Sequence, residues 1–180
     1  MYRYIIILLF SLFCISTSHG HYKTAAHLDT ANTYVGTVEA TGHNDGVNVE
    51  KFLRSVGLEK GYSWCAAFVS YCLTVSHSTF PIRSALAQKF ITKQSIKAND
   101  VLIGKIKIPS GSLVIWKRGT GPLGHIGFIR RWGTVSGETI EGNTSSNEVG
   151  SQFEGGGVFQ KTRTIQPSNY FRICYFTLVN

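Results

Sequence analysis

The chain has 180 residues, 43% of them apolar, and its 18 Lys+Arg against 10 Asp+Glu give a formal charge of +8. That length suits one domain that buries a core without disulfide staples. The positive excess points to an anionic partner, yet Lys117-Arg118, Arg130-Arg131 and Lys161-Thr162-Arg163 are small scattered groups without interleaved aromatics, so nucleic acid is not expected.

Ile5 to Ile15 is an apolar run behind a lone Arg3, followed by the small residues of Ser16-Thr17-Ser18-His19-Gly20. A run of that length is too short to cross a bilayer as a helix, which takes about 20 residues. Residues 1–20 are therefore expected to be a secretory signal peptide, with an uncleaved anchor as the competing reading, and residues 21–180 to form a single domain. Phe13 precedes Cys14 where lipid attachment needs a small residue, which argues against a lipoprotein. Arg3 is the only charge in the leader, so the remainder keeps +7. The expected location is secreted or periplasmic, with no stable membrane insertion once the leader is gone. A monomer is expected.

Thr41-Gly42-His43-Asn44-Asp45-Gly46 is a turn signal. Asn44, Asp45 and Asn48 offer oxygens to a calcium ion, but their spacing is irregular and carboxylates are few, so a plain turn is preferred and neither metal nor cofactor is expected. Glu39 and His43 are candidates to lie near a site around Cys65. Val49, Phe52, Leu53 and Val56 recur at helical spacing over 47–56, and Gly57 suits the helix end. Ser63 can cap a second helix whose body is Ala66, Ala67, Phe68 and Val69. Ile82, Ala85, Leu86, Phe90 and Ile91 predict a third, over 82–91.

From Asn99 the period changes. Residues 113–116, 125–132, 139–141, 158–165 and 171–179 read as strands separated by Gly-rich turns. Helices first and an antiparallel sheet afterwards predict an α+β domain.

Three cysteines follow the leader: Cys65, Cys72 and Cys174. In one helix, Cys65 and Cys72 stand about 10.5 Å apart along the axis, beyond the roughly 7 Å reach of a disulfide. A Cys72–Cys174 bond and two buried free thiols both remain open. Cys65 falls in the first helical turn, where the helix dipole favours a thiolate. Downstream come Gly124-His125-Ile126-Gly127 and Thr139-Ile140-Glu141-Gly142-Asn143. Cysteine, histidine and an orienting polar group are the parts of an acyl-transfer site. Strand alternation places Glu141 and Asn143 on one side, if the strand runs that far.

Trp64-Cys65-Ala66-Ala67-Phe68-Val69, Gly124-His125-Ile126-Gly127 and Glu141-Gly142-Asn143 together resemble the CHAP family of cysteine- and histidine-dependent amidohydrolases and peptidases, relatives of the papain-like and NlpC/P60 enzymes. The resemblance extends from about Thr33 to the C-terminus, over nearly all of the expected domain. It implies a papain-like α+β fold with N-terminal helices packed on a C-terminal antiparallel sheet. It also implies hydrolysis of peptidoglycan amide bonds by Cys65 as nucleophile, His125 as base and Glu141 as orienting group, with Asn143 accessory. Tyr62 and Trp64 are candidate substrate contacts. The rival expectation is a wall-binding module on the same fold, without turnover.

Overall fold

The structure, a computed structural model, describes residues 25–146, 155–165 and 172–179. The expected leader lies outside them. Helix α1 (Ala26–Thr33) is followed by α2 (Val47–Arg54) and α3 (Cys65–Val75). A two-residue strand β1 (Ile96–Lys97) and a short helix α4 (Ala98–Leu102) precede β2 (Leu113–Lys117), β3 (Gly124–Trp132), β4 (Ser136–Thr144), β5 (Gly157–Thr164) and β6 (Arg172–Thr177). The strands form one six-stranded antiparallel sheet in the order β1-β6-β2-β3-β4-β5. Helices and an antiparallel sheet make the fold α+β.

Helix α3 is largely apolar because most of it is buried: Ala66, Ala67, Phe68, Val69, Cys72 and Leu73 are all inaccessible, and its last turn reaches solvent. One hydrophobic cluster joins Leu28, Val49, Phe52 and Phe68 to Leu113, Ile115, Ile126, Phe128 and Ile140. A second gathers Val101, Val114, Trp116, Ile129, Ile165 and Phe176. Alternation explains the division, since neighbouring residues of β2 (Ile115 and Trp116) and of β3 (Phe128 and Ile129) enter different clusters. β3 lies between β2 and β4 with α1 and α3 packed against it, and this fixes where His125 stands.

Several expectations change. Helix α2 ends at Arg54, and the chain past it closes with Gly57 N–H to the Arg54 carbonyl and Leu58 N–H to that of Leu53. Ser63 does not cap α3: Trp64 occupies that position and no side chain bonds the free amides there. The helix expected over 82–91 shrinks to one 3-10 turn, Ala87–Phe90. Arg83 contributes to this, because its guanidinium takes the Ile82 carbonyl, an acceptor in the first turn of such a helix, and anchors itself on the carbonyls of Ser78 and Phe80. Ser84 is meanwhile tied through its N–H and its carbonyl to the Ser70 hydroxyl. Backbone groups engaged this way are not available to a helix. Cys65 and Cys72 are both free thiols; the Cys174 side chain lies outside the described residues. Among the described residues no helix is long and apolar enough to cross a membrane.

Candidate active site

Cys65 is the first residue of α3 and keeps 7% exposure, with its Sγ 4.0 Å from the Gly124 carbonyl at the start of β3. The next residue along β3 is His125, 1% exposed, whose ring is close enough to the Cys65 side chain for the two to interact electrostatically. Its Nε2–H donates to Glu141 Oε2 over 2.9 Å, which leaves Nδ1 as the nitrogen for the thiol. Trp116 flanks the ring, with centroids 5.6 Å apart.

Glu141 lies on β4 directly across from Gly127 of β3. A Cβ on Gly127 would come within 2.6 Å of Glu141 Cγ, so the missing side chain is what lets the carboxylate pass over β3. Glu141 is inaccessible to solvent and accepts from four donors. Thr139 Oγ1–H and Arg163 Nε–H bond Oε1 at 2.5 and 2.8 Å, and Arg163 Nη2–H and His125 Nε2–H bond Oε2 at 2.5 and 2.9 Å. Burial alone would push the carboxyl pKa up, but the hydrogen bonds from Arg163 and His125, with their charges, hold it well below the usual range. For His125, burial disfavours the charged form; interactions with Cys65 and with the hydrogen-bonded Glu141 outweigh it and raise the ring to about 9. The site thus favours an imidazolium at neutral pH.

Asn143 takes a different place from Glu141. The register of β4 against β5 shifts between Glu141 and Thr144, and Asn143 has a positive φ of 53°. Its amide donates to Asn44 Oδ1 at 3.0 Å and to the Gly155 carbonyl at 3.2 Å. Asn44 N–H in turn donates to Glu39 Oε2, while Glu39 Oε1 accepts the Trp64 indole N–H at 2.8 Å. Trp64, a candidate substrate contact, is therefore a core residue: it is inaccessible, sits against Phe52 and is pinned by Glu39. A Cβ on Gly142 would lie 2.8 Å from both Trp64 and Phe68, so the middle glycine of Glu141-Gly142-Asn143 admits these rings.

Tyr62 is 57% exposed and lines a groove of about 240 Å³ that reaches Cys65. Leu58, Ala85, Leu86, Pro122 and Leu123 form much of the remaining wall. No lining residue carries a formal charge. Gln88 Nε2 fixes the far wall by donating to the carbonyls of Gly121 and Leu123. The 41–45 segment closes as a turn, with Asp45 accepting from the Thr41 amide and hydroxyl. His43 stays beside Thr41 and does not reach Cys65's partners. Among the described residues no group of three or more His, Cys, Asp or Glu is arranged to hold a metal ion.

Residues 57–143 match the CHAP domain. This is the family that the three motifs resemble, and the matched span contains Cys65, His125, Glu141 and Asn143. CHAP domains form a peptidoglycan-hydrolase-like family of amidases and peptidases. No curated protein matches the chain. Arg163 lies beyond the CHAP span and read in sequence as one of a small basic group. Alternation along β5, with Thr139 of β4 opposite Lys161, is the signal that places Arg163 on the face of Glu141.

Proposed function

We propose that the protein is a secreted or periplasmic cysteine amidase or peptidase that hydrolyses amide bonds of bacterial peptidoglycan, on a papain-like domain that follows the leader. The observation that carries this reading is the helix-opening Cys65 beside a buried, hydrogen-bonded His125–Glu141 pair, inside a CHAP-matched span. The wall polymer is also the anionic partner that a +8 chain suits.

The chemistry follows from the groups. His125 holds the proton taken from Cys65 as an imidazolium, and the thiolate Sγ adds to the amide carbonyl. The developing oxyanion meets the Cys65 backbone N–H, one of the amides at a helix start without an intrahelical acceptor, and Tyr62 serves as second donor or substrate contact. The His125 imidazolium then protonates the leaving amine as the C–N bond breaks, giving a thioester. Water, deprotonated by His125, hydrolyses the thioester and restores the thiolate. Glu141 holds the ring and balances its charge throughout, while Asn143 acts as an accessory by fixing the loop beyond it. The uncharged groove walls suit an apolar or neutral peptide flank at the scissile bond.

Digestion of purified peptidoglycan with the protein, followed by mass spectrometry of the released ends, tests the reading. The expected result is new amine and carboxyl ends from one class of amide bond, absent with Cys65→Ser. Binding to the polymer without release of ends by the wild-type protein overturns the proposal and identifies a binding module.

A further inference from the structure

We infer that Arg163 is a positioning residue of the Cys65 site, which fixes the Glu141 carboxylate and divides its charge between a guanidinium and the His125 ring. The inference rests on reading Cys65, His125 and Glu141 as the reacting set.

The carboxylate of Glu141 offers about four lone-pair directions, and four donors fill them: two from Arg163, one from Thr139 and one from His125. Arg163 supplies Nε–H to one oxygen and Nη2–H to the other, the two-pronged geometry that a planar guanidinium provides and an ammonium does not. The fork is itself clamped. Its side chain is only 11% exposed, Nη2–H reaches Thr144 Oγ1 at 3.3 Å, and the guanidinium carbon lies 5.7 Å from the Trp116 ring centre. Trp116 in turn flanks His125, so one indole contacts both partners of Glu141.

The consequence is electrostatic as well as geometric. Oε2 serves Arg163 and His125 together, so the imidazolium faces a carboxylate already half engaged by a fixed positive charge. The titratable or charged groups acting on His125 are Cys65 of α3 and Glu141 of β4. Those acting on Glu141 are Arg163 of β5 and His125 of β3. Removing the Arg163 charge strengthens the hold of Glu141 on the imidazolium, moving His125 toward a less effective base, and also frees the carboxylate to rotate. Each change lowers turnover, and neither alters the groove that binds the substrate flank.

The test titrates His125 by NMR in the wild-type protein, Arg163→Gln and Arg163→Lys, with His125→Ala assigning the ring signal, and measures peptidoglycan hydrolysis in the same preparations. Arg163→Gln should move the His125 midpoint to higher pH and lower kcat by up to about 100-fold, the scale of a misplaced catalytic group, with KM little changed. Arg163→Lys keeps the charge and loses the fork, so its midpoint should stay at the wild-type pH while kcat falls to an intermediate value. A folded Arg163→Gln protein with an unmoved midpoint overturns the inference, whatever its kcat. Should that variant not fold, wild-type turnover by Arg163→Lys overturns it, and reduced kcat with an unmoved midpoint supports it. A wild-type protein that shows the titration pattern but releases no wall fragments overturns the proposed function and leaves the role of Arg163 toward Glu141 standing.

Discussion

Two polar networks meet near the start of α3, and they differ in kind. His125, Glu141, Arg163 and Thr139 form an ionic chain shut away from solvent. Trp64, Glu39, Asn44 and Asn143 form a second chain that ends on backbone, at the Gly155 carbonyl, and holds two residues at positive φ, Asn44 and Asn143. In the proposed reaction the first network contains the groups that change protonation as an acyl group moves; the second fixes where loops and Trp64 lie relative to Cys65. Glu141 and Asn143 are two residues apart on β4, yet the register shift between Glu141 and Thr144 sends them to different networks. Proximity in sequence to a residue of the candidate site is therefore a poor guide to a side chain's place.

The largest effect should come from the ionic chain. His125→Ala should reduce hydrolysis by roughly 10⁴-fold, close to the loss in Cys65→Ser, because nucleophile and base act as one unit. Steady-state rates on purified wall decide this, and wild-type turnover in the His125 variant breaks the account of that network. Glu141→Gln should cost less activity, since an amide oxygen still accepts from the ring. It should cost stability, by about 3 kcal/mol, because Arg163 is left largely buried opposite a neutral group. Urea unfolding measures that loss.

Asn143→Gly sharpens the contrast. Glycine adopts the φ of 53° without strain, so only the amide bonds to Asn44 and Gly155 are lost, at a cost of about 1 kcal/mol. Hydrolysis should fall modestly and the His125 titration should not move. A shifted titration would place Asn143 in the ionic chain.

The gentlest effect is on stability against pH. His125 is raised from 6.5 to about 9, so its contribution is complete below about 6.5 and is lost as pH rises through about 9. Glu141 is lowered from 4.5, so its contribution is complete above that value and is lost as the solution becomes acidic enough to protonate the folded carboxylate. Both contributions are complete between about pH 4.5 and 6.5. Thermal unfolding across pH should show the alkaline decline in the wild-type protein and a weaker one in His125→Ala.

Much of the candidate site was legible in the sequence because its residues sit in contiguous signals: Cys65 before an apolar helical body, His125 between glycines at a strand start, Glu141 beside another glycine. Arg163 was not, because it stands 22 residues from Glu141 and its orientation depends on the register of β5 against β4. Trp64 was misplaced for a related reason. Its position beside Cys65 says nothing about the direction of its side chain, which is decided by Phe52, Glu39 and the gap at Gly142. The helix expected over 82–91 failed where one side chain, Arg83, captured three carbonyls. The strands from 113 to 144 were visible as runs of β-forming residues between Gly-rich turns, buried on both faces for much of their length; β1 and α4 are too short to leave a period.

Cys65 and Cys72 offer the most direct test, since one helix carries both. Cys65 opens that helix beside His125 and the groove, whereas Cys72 is inaccessible and burial pushes its thiol pKa well up. The measurement is site-resolved alkylation by iodoacetamide in the folded protein, read by peptide mass spectrometry across pH in the wild-type and His125→Ala proteins. The account predicts fast labelling of Cys65 that slows and changes its pH profile when His125 is removed, with Cys72 unmodified until the protein unfolds. Equal labelling of the two cysteines, or a Cys65 rate indifferent to His125, would contradict it.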